Sequence, residues 1–189
     1  MRVLIAYHSE DGHTEKLAQA VGEGAREVGD AEVEVRAIDA VSADDLRRAD
    51  AILLGSPVYG GTVSHQMKRF MDTTMGEVWM SGELAGKTGG AFATCGGEHG
   101  GIESTLETIL RVMLGCSMVV TGPYVKQEEI RATGAAYGAT FVPRPGHEEL
   151  SDADRKLARS LGRRVAEVAG ALAGSPAAER QEGQLSYAA

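Results

Sequence analysis

Residues 2–14 of the chain read RVLIAYHSEDGHT, and this stretch decides the fold class. Its first seven residues form a nearly continuous apolar run of strand length, which is typical of a strand buried on both faces of a parallel sheet. A short polar loop follows, and from Leu17 onward apolar residues recur at helical spacing. The stretch therefore predicts a buried strand that leads into an amphipathic helix, the first half of a β–α–β unit.

The same alternation continues along the rest of the chain. An edge strand is predicted at residues 32–36, where Glu and Val alternate, and buried strands are predicted at residues 50–55, 88–94 and 118–121. Apolar residues at helical spacing separate these strands, and Ser151 with Asp152 opens a last helix. This order predicts an α/β fold built on a doubly wound, five-stranded parallel sheet with the flavodoxin-like strand order 2-1-3-4-5.

The domain organisation is expected to be simple. Residues 1–173 are predicted to form one domain, and residues 174–189, which are small, polar and aperiodic, are expected to form a disordered tail. Residues 122–150 form an extension after the fifth strand begins, because this stretch contains prolines and glycines and shows no helical period. A connection of that length is uncommon, so we expect it to be functional or to form an interface; a plain surface excursion is the alternative.

Composition and charge exclude several classes of protein. The chain has 189 residues, of which 43% are hydrophobic and 24% charged, as in globular proteins. Its formal net charge of −8 argues against a general binder of nucleic acids or anionic membranes. No apolar run approaches the length of a membrane-spanning helix, and the N-terminus resembles a strand rather than a signal peptide, so a soluble cytoplasmic protein is expected.

Cysteine and histidine usage indicates neither a disulfide framework nor a metal site. Cys95 and Cys116 are the only cysteines, which is too few for a four-cysteine zinc site. The five histidines lie on different predicted elements and show no metal-ligand spacing. We therefore expect no metal in the functional site, and both cysteines are interpreted as small buried apolar residues.

Three loops are predicted to meet at one edge of the sheet. In the order 2-1-3-4-5, the crevice at the strand switch point lies between the carboxyl ends of the first and third strands, where open α/β sheets bind ligands. The loops at residues 9–14, 56–62 and 94–101 follow the first, third and fourth strands, and all three are rich in glycine or hydroxyl side chains. Their convergence predicts the ligand site.

The first loop is predicted to bind a phosphate group. It joins a strand to a helix N-terminus, where unpaired backbone N–H groups favour an anion. Ser9 and Thr14 add hydroxyl groups, Gly12 allows close approach of the backbone, and His13 adds a donor. The loop has neither the Gly-x-Gly-x-x-Gly nor the Gly-Lys-Ser/Thr pattern, so a phosphate monoester fits best. The alternative is a turn that simply caps the helix.

Two further observations bear on that prediction. The acidic residues Glu10 and Asp11 oppose an anion unless their side chains turn outward. A phospho-receiver domain shares the topology, but it needs an aspartate at the end of the third strand, where this chain has Gly55 and Ser56. The sequence therefore excludes the receiver interpretation.

The other two loops are predicted to bind a flat ring. Tyr59 can stack on a ring or contact its edge, and Gly96 and Gly97 let backbone N–H groups meet the ring edge without side chains between them. The third loop has no aromatic residue, so one ring face stays open for a second ring, which favours hydride transfer between stacked rings. His99 is the candidate catalytic residue, orienting a substrate or protonating a product. A solvent-exposed loop histidine is the alternative.

The chain resembles a known family at these loops and elsewhere. The matching stretches are YHS at residues 7–9 with Gly12 and His13, GSP at 55–57, QMKRFMD at 66–72, WMSGELAGK at 79–87, Gly100 and Gly101 with Glu103, and YGAT at 137–140. Through them the sequence resembles the flavodoxin-like FMN proteins, most closely the WrbA-type NAD(P)H:quinone oxidoreductases and their NADPH-dependent FMN reductase relatives. The resemblance extends to about residue 173.

This resemblance implies a cofactor and a set of residues that bind it. The cofactor is non-covalent FMN, with its phosphate on the first loop and its isoalloxazine ring between the second and third loops. The implied cofactor-binding residues are Ser9, Gly12, His13, Thr14, Ser56, Pro57, Val58, Tyr59, Gly60, Thr94, Cys95, Gly96 and Gly97. A homodimer or homotetramer is also implied, with the extension and the segment around Trp79 near a neighbour's flavin.

The implied activity is transfer of a hydride from NADH or NADPH through FMN to a quinone. The sequence does not distinguish between the two nicotinamide cosubstrates, since no dedicated nicotinamide motif is present. Three alternatives are consistent with the same fold: a flavodoxin-type electron carrier, a reductase that releases reduced FMN or reduces iron or azo compounds, and a non-catalytic regulatory protein that binds no flavin.

Overall fold

A parallel sheet with helices on both faces forms the centre of the structure, a computed structural model that describes residues 1–124, 126 and 131–173. The tail predicted at residues 174–189 lies outside the described residues. The strands are β1 (Arg2–Tyr7), β2 (Glu32–Ala37), β3 (Ala51–Tyr59), β4 (Thr62–Val63), β5 (Thr88–Thr94), β6 (Val119–Val120) and β7 (Ala139–Phe141). The helices are α1 (His13–Ala25), α2 (Ala43–Arg48), α3 (His65–Phe70), α4 (Gly76–Met80), α5 (Ile102–Gly115) and α6 (Asp152–Ala173), with a π-helical turn (Met71–Met75) between α3 and α4.

The strand order confirms the predicted topology. The parallel sheet runs β2-β1-β3-β5, and β6 and β7 pair one after the other with the free edge of β5. Val119 pairs with Thr88 at the start of β5, and Phe141 pairs with Thr94 at its end. The order 2-1-3-4-5 is therefore present, with β5 as the fourth strand and the fifth position filled in two pieces.

The two-piece fifth position corrects the prediction for residues 122–150. That stretch was expected to be a continuous extension, but it contains β7, so the excursion from the sheet spans only residues 121–138, which we name the insertion. Gly138 is the last residue before β7, and a Cβ added there would lie 2.3 Å from the backbone oxygen of Ala91. A glycine is needed where the chain rejoins β5, because a side chain would collide with that strand.

Both faces of the sheet are apolar, which explains the continuous apolar strands. In β1, Leu4 and Ala6 belong to the core formed with α2, α3, α4 and α5, whereas Val3, Ile5 and Tyr7 belong to the core formed with α1 and α6. Successive side chains of a strand point to opposite faces, so a strand covered on both sides is apolar at every position. This arrangement leaves the carboxyl edge of the sheet to the three predicted loops.

Helices α1 and α6 pack against each other more closely than helices that carry side chains at the contact. A Cβ added to Gly24 would lie 1.9 Å from the backbone oxygen of Arg159, and one added to Gly162 would lie 1.9 Å from that of Val21. Each helix therefore uses one glycine to let the partner backbone approach. This contact lies in the second half of α1, at Val21 and Gly24.

Candidate functional site

The three predicted loops meet at the carboxyl edge of the sheet and enclose a cavity of about 220 Å³, which we name the strand-end cavity. Its walls come from the ends of β1, β3 and β5 and from one residue after β7. The residues that line it are Ser9, Glu10, Asp11, His13, Thr14, Pro57, Val58, Tyr59, Thr94, Cys95, Gly96 and Pro143. The cavity lies at the place that the switch-point rule predicts.

The first loop presents hydrogen-bonding groups that have no partner in the described part of the chain. Gly12 precedes α1 in the left-handed conformation with φ of 81°, and no side chain caps the helix start. Among the described residues, the buried Ser9 Oγ and His13 Nδ1 have no hydrogen-bond partner. Because buried polar atoms are normally paired, these two atoms and the uncapped backbone N–H groups are suited to an anionic ligand.

Thr14 connects this loop to the end of β5. Its Oγ1 lies 2.8 Å from Thr94 Oγ1 in a buried hydrogen bond in which either hydroxyl can donate. Each threonine hydroxyl retains further capacity, because a hydroxyl group both donates and accepts. The bond fixes the spacing between the first and third loops.

The acidic pair lies on the rim of the cavity. Both side chains are exposed, and Glu10 Oε1 accepts a hydrogen bond of 3.1 Å from Gln66 Nε2 and lies 3.9 Å from His8 Nε2. Burial lowers the pKa of His8, and the nearby Glu10 carboxylate opposes that effect. Glu10 is therefore directed toward α3 and the second loop.

The second loop is a tight hairpin. Strand β3 continues to Tyr59 and pairs with β4, and Gly60 and Gly61 turn the chain with positive φ values of 59° and 82°. A two-residue turn with both φ angles positive matches the twist of the flanking strands and favours glycine. The buried Ser56 supports the hairpin, since its Oγ donates to Pro57 O at 2.7 Å and accepts from Ser64 N at 3.0 Å.

Tyr59 lies at the mouth of the strand-end cavity. Its side chain is partly exposed, and the ring of His8 meets it edge to face with centroids 6.3 Å apart. Burial and the adjacent Glu10 carboxylate together raise the pKa of its phenol. The His8 ring therefore contacts the Tyr59 ring on one side, and the outer part of the Tyr59 ring stays accessible to a ligand.

The third loop offers backbone rather than side chains. Gly96 and Gly97 are exposed, and a Cβ added to either would meet nothing within 4 Å. Cys95 is buried, and its N–H donates to Phe141 O at 3.1 Å, which ties the loop to β7. Further along, Gly101 with φ of 104° touches the hairpin turn: a Cβ there would lie 2.5 Å from the oxygen of Gly61.

Comparison with known proteins identifies the family. A family model described as NADPH-dependent FMN reductase matches residues 40–129. The NAD(P)H dehydrogenase (quinone) of Geotalea uraniireducens is 38% identical over 203 residues, covering 92% of this chain and 100% of the relative. That of Gluconacetobacter diazotrophicus is 36% identical and covers 90% of this chain and 98% of the relative. The chain belongs to the NAD(P)H dehydrogenase (quinone) family.

Solved structures agree with this family and with the fold. The WrbA-like protein from Agrobacterium tumefaciens superposes with a TM-score of 0.71 at 30% identity, covering 90% of this chain and 98% of that chain. Flavodoxin 1 from Bacillus cereus superposes with a TM-score of 0.65 at 19% identity, covering 88% of this chain and 98% of that chain, and shows the fold alone. The flavodoxin-like fold and the suspected family are both confirmed.

In this NAD(P)H dehydrogenase (quinone) family member, the structure brings together most of the predicted cofactor residues. Nine of the thirteen line the strand-end cavity, and Gly12, Ser56, Gly60 and Gly97 do not. Gly12 and Gly60 shape the turns beside the cavity, and Ser56 supports the hairpin. His99, the catalytic candidate, is exposed and lies outside the cavity, in the wall of a neighbouring one.

Sequence reasoning missed two contributors to the site. Pro143 lines the cavity although it follows β7, a strand too short to show a period, inside a stretch interpreted as an extension. Gln66 has its Oε1 buried without a partner while its Nε2 donates to Glu10. The matching stretch at residues 66–72 was the available signal for Gln66.

Two further findings concern the described residues as a set. No group of three or more His, Cys, Asp and Glu side chains among them is arranged to hold a metal ion. None of the helices within the described ranges combines the length and apolar character needed to cross a bilayer.

Proposed function

We propose that the protein is an FMN-dependent oxidoreductase that transfers a hydride from NAD(P)H to a quinone, yielding NAD(P)⁺ and, with a proton, the hydroquinone. The observation that carries this proposal is the pair of buried, partnerless atoms, Ser9 Oγ and His13 Nδ1, at an uncapped helix start beside a cavity. When bound, FMN supplies a ring that accepts and donates a hydride. Family membership supports the same activity.

The residues of the first loop fit the phosphate of FMN. Ser9, His13 and Thr14 supply side-chain hydrogen bonds, and the backbone after Gly12 supplies N–H groups at the positive end of α1. The exposed carboxylate of Glu10 accepts a hydrogen bond from Gln66, which directs it toward α3, and Asp11 is exposed on the rim of the cavity. These residues bind the charged end of the cofactor.

The second and third loops fit the flavin ring. Tyr59 contacts one side, and the open backbone at Gly96 faces the ring edge without interference from side chains. Backbone N–H groups directed at that edge stabilise negative charge on a reduced ring. Because the third loop carries no aromatic residue, a nicotinamide or quinone ring has access to the uncovered face.

An absorbance experiment tests the proposal. The purified protein is saturated with FMN and desalted, and its spectrum is followed during anaerobic addition of NADPH or NADH and then of benzoquinone. We expect a retained flavin spectrum that bleaches with reduced nicotinamide and recovers with quinone. A protein that stays colourless is not a flavoprotein, and one that binds FMN but oxidises NAD(P)H only with a separate reductase is an electron carrier.

We also propose that the protein assembles as a homodimer or homotetramer and works in the cytoplasm. Trp79, Met80 and Leu114 are exposed by 49%, 73% and 58%, and large exposed apolar side chains often mark interfaces. Light scattering of the FMN-loaded protein tests the assembly, since a monomer at all concentrations contradicts it. Cell fractionation with an antibody tests the location.

A further inference from the structure

Four side chains from three parts of the fold meet on the rim of the strand-end cavity. Two of them, His8 and Glu10, follow β1 in the sequence. Tyr59 is the last residue of β3, and Gln66 lies in the first turn of α3. We name these four residues the rim cluster. Glu10 and Tyr59 line the cavity, so the cluster is in a position to affect a ligand there.

The carboxylate of Glu10 is the centre of the rim cluster. Its Oε1 accepts a hydrogen bond of 3.1 Å from Gln66 Nε2 and lies 3.9 Å from His8 Nε2. Burial lowers the pKa of His8 in spite of the nearby carboxylates of Glu10 and Asp39, so the imidazole is neutral at pH 7. A carboxylate can accept several hydrogen bonds, so these neighbours leave room for another donor.

The side chain of Tyr59 is held both at its ring and at its hydroxyl group. The His8 ring meets it edge to face, with centroids 6.3 Å apart and ring planes at 81°. Burial, the charge of Glu10 and a hydrogen bond to the Glu10 carboxylate raise the pKa of the Tyr59 phenol. Two residues that follow β1 therefore restrain an aromatic ring that belongs to β3.

The neighbouring acid, Asp11, provides a comparison within the same loop. A carboxylate close to a bound phosphate weakens its binding through like-charge repulsion, and both acids lie in the loop to which we assign the phosphate. Asp11 is also exposed and also raises the pKa of Tyr59, but through its charge alone. Glu10 differs in that its carboxylate also forms hydrogen bonds with the second loop and with α3.

We propose that Glu10 is a positioning residue: its carboxylate, which Gln66 holds in place, fixes the hydroxyl group of Tyr59 and thereby sets the orientation in which the Tyr59 ring meets the flavin ring. His8 restrains the same ring by packing against it. This inference rests on the proposed function for the presence of the flavin. It gives a role to an acidic side chain that phosphate binding alone would disfavour.

A titration of Tyr59 tests the contact in the full chain before any flavin is added. Tyrosine rings are labelled with ¹³C, and the NMR signal that Tyr59→Phe removes is followed with pH in wild type, Glu10→Gln and Asp11→Asn. Each of these two substitutions removes one negative charge, but only Glu10→Gln changes the group that accepts from the phenol. We expect the pKa of Tyr59 to fall further in Glu10→Gln than in Asp11→Asn. Equal falls overturn the inference.

A double-mutant cycle then measures whether Glu10 acts on FMN through the Tyr59 hydroxyl group. Dissociation constants for FMN are measured by flavin fluorescence in wild type, Glu10→Ala, Tyr59→Phe and the double variant. With the hydroxyl group present, Glu10→Ala releases the ring, which offsets the relief of repulsion. In Tyr59→Phe only the relief of repulsion remains. We therefore expect the ratio of dissociation constants, Glu10→Ala to its parent, to be about threefold or more higher in wild type than in Tyr59→Phe.

Two further variants complete the cycle. Asp11→Ala is the matched control, and it should change FMN affinity by the same factor, within about twofold, whether or not Tyr59 carries its hydroxyl group. Glu10→Gln should recover part of the affinity lost in Glu10→Ala, because an amide oxygen also accepts from a phenol. Urea unfolding of the flavin-free variants should match wild type, since both acids are exposed.

The outcomes separate this inference from the proposed function. If the cycle shows no coupling in a protein that binds FMN and reduces quinone, the positioning role is overturned and the proposed function stands. Coupling in a protein that binds FMN but oxidises no NAD(P)H supports the positioning role and refutes the proposed reaction. Wild-type protein that binds no FMN refutes both, even if the tyrosine titration shows the contact with Glu10.

Discussion

At the scale of single residues, the partnerless polar atoms are concentrated around the first loop. Among the described residues, six buried side-chain atoms have no hydrogen-bond partner, and four of them are His8 Nδ1, Ser9 Oγ, His13 Nδ1 and Gln66 Oε1. Leaving a polar atom buried and unpaired costs about 1–3 kcal/mol. Such atoms are tolerated at a site where a ligand satisfies them, which makes Ser9 the sharpest single test of the phosphate assignment.

We predict that Ser9→Ala weakens FMN binding without destabilising the apoprotein. A hydrogen bond to a charged group contributes about 1.5–3 kcal/mol, so the dissociation constant should rise by about tenfold or more. The unfolding midpoint of the apoprotein should stay the same or rise, because an unpaired hydroxyl is replaced by a methyl group. Flavin fluorescence titration and urea unfolding measure the two quantities.

The matched control for this variant is Ser104→Ala. Ser104 is exposed on α5, so its substitution should change neither FMN affinity nor stability. Wild-type FMN affinity in Ser9→Ala would refute the assignment of the phosphate to this loop.

At the scale of elements, the hairpin turn and the start of α5 meet through glycine backbone. Gly101 needs its positive φ, and its hydrogen atom faces the oxygen of Gly61 where a methyl group would collide. Gly96, five residues earlier in the same loop, lines the strand-end cavity, has open space around it and has no positive φ. We therefore expect Gly101 to matter for folding and Gly96 to matter for access of the ligand.

We predict that Gly101→Ala destabilises the apoprotein by about 1–3 kcal/mol and weakens FMN binding, since it strains the backbone and displaces the hairpin. By contrast, Gly96→Ala should change stability by less than about 0.5 kcal/mol and still weaken FMN binding, because Gly96 lines the strand-end cavity and its methyl group would occupy the space proposed for the ring edge. Urea unfolding of the apoproteins and flavin titration separate the two effects. Equal stability of the two variants would contradict the role given to the Gly61–Gly101 contact.

At the scale of the whole molecule, the α1–α6 crossing joins the two helices that cover one face of the sheet. We predict that Gly162→Ala destabilises the protein by about 1–3 kcal/mol. Alanine gains about 1 kcal/mol of helix propensity over glycine, but the added methyl group meets the backbone of α1, which cannot rotate away as a side chain can.

The control for the crossing is Gly115→Ala at the end of α5, where an added Cβ meets nothing within 4 Å. This substitution should be neutral or stabilising in the same urea experiment. If both alanine variants were equally stable, the tight crossing would not be a source of stability.

The strand order and the position of the three loops could be predicted from the sequence, because the strands are visible as continuous apolar runs. Strands such as β1 and β3 are buried on both faces, so their apolar runs are continuous, and the switch-point rule then locates the ligand loops. The prediction of a phosphate site at residues 9–14 likewise follows from a loop that precedes a helix. These features depend on local patterns that the chain displays directly.

The remainder depends on contacts between distant residues. Strand β7 has only three residues, and it forms by pairing with the free edge of β5 at Phe92, Ala93 and Thr94. No local sequence pattern reveals a strand of this kind. Ser56 looks like a ligand residue, but Ser64, eight positions later, engages its hydroxyl. His99 lies in the wall of a cavity that it shares with residues 131–137, which are distant in the sequence. Such outcomes are decided by tertiary packing.

The fifth strand position, filled by two short segments of the chain, has a consequence for how such a protein can diverge. The chain leaves the sheet after Val120 and returns at Ala139 in a fixed register, so everything between is an exchangeable part. Because β6 and β7 each pair with β5 on their own, the segment between them can change in length or sequence without a change in the register of the sheet. The surface beside the strand-end cavity can therefore vary among related proteins while the strands that carry the three loops stay the same.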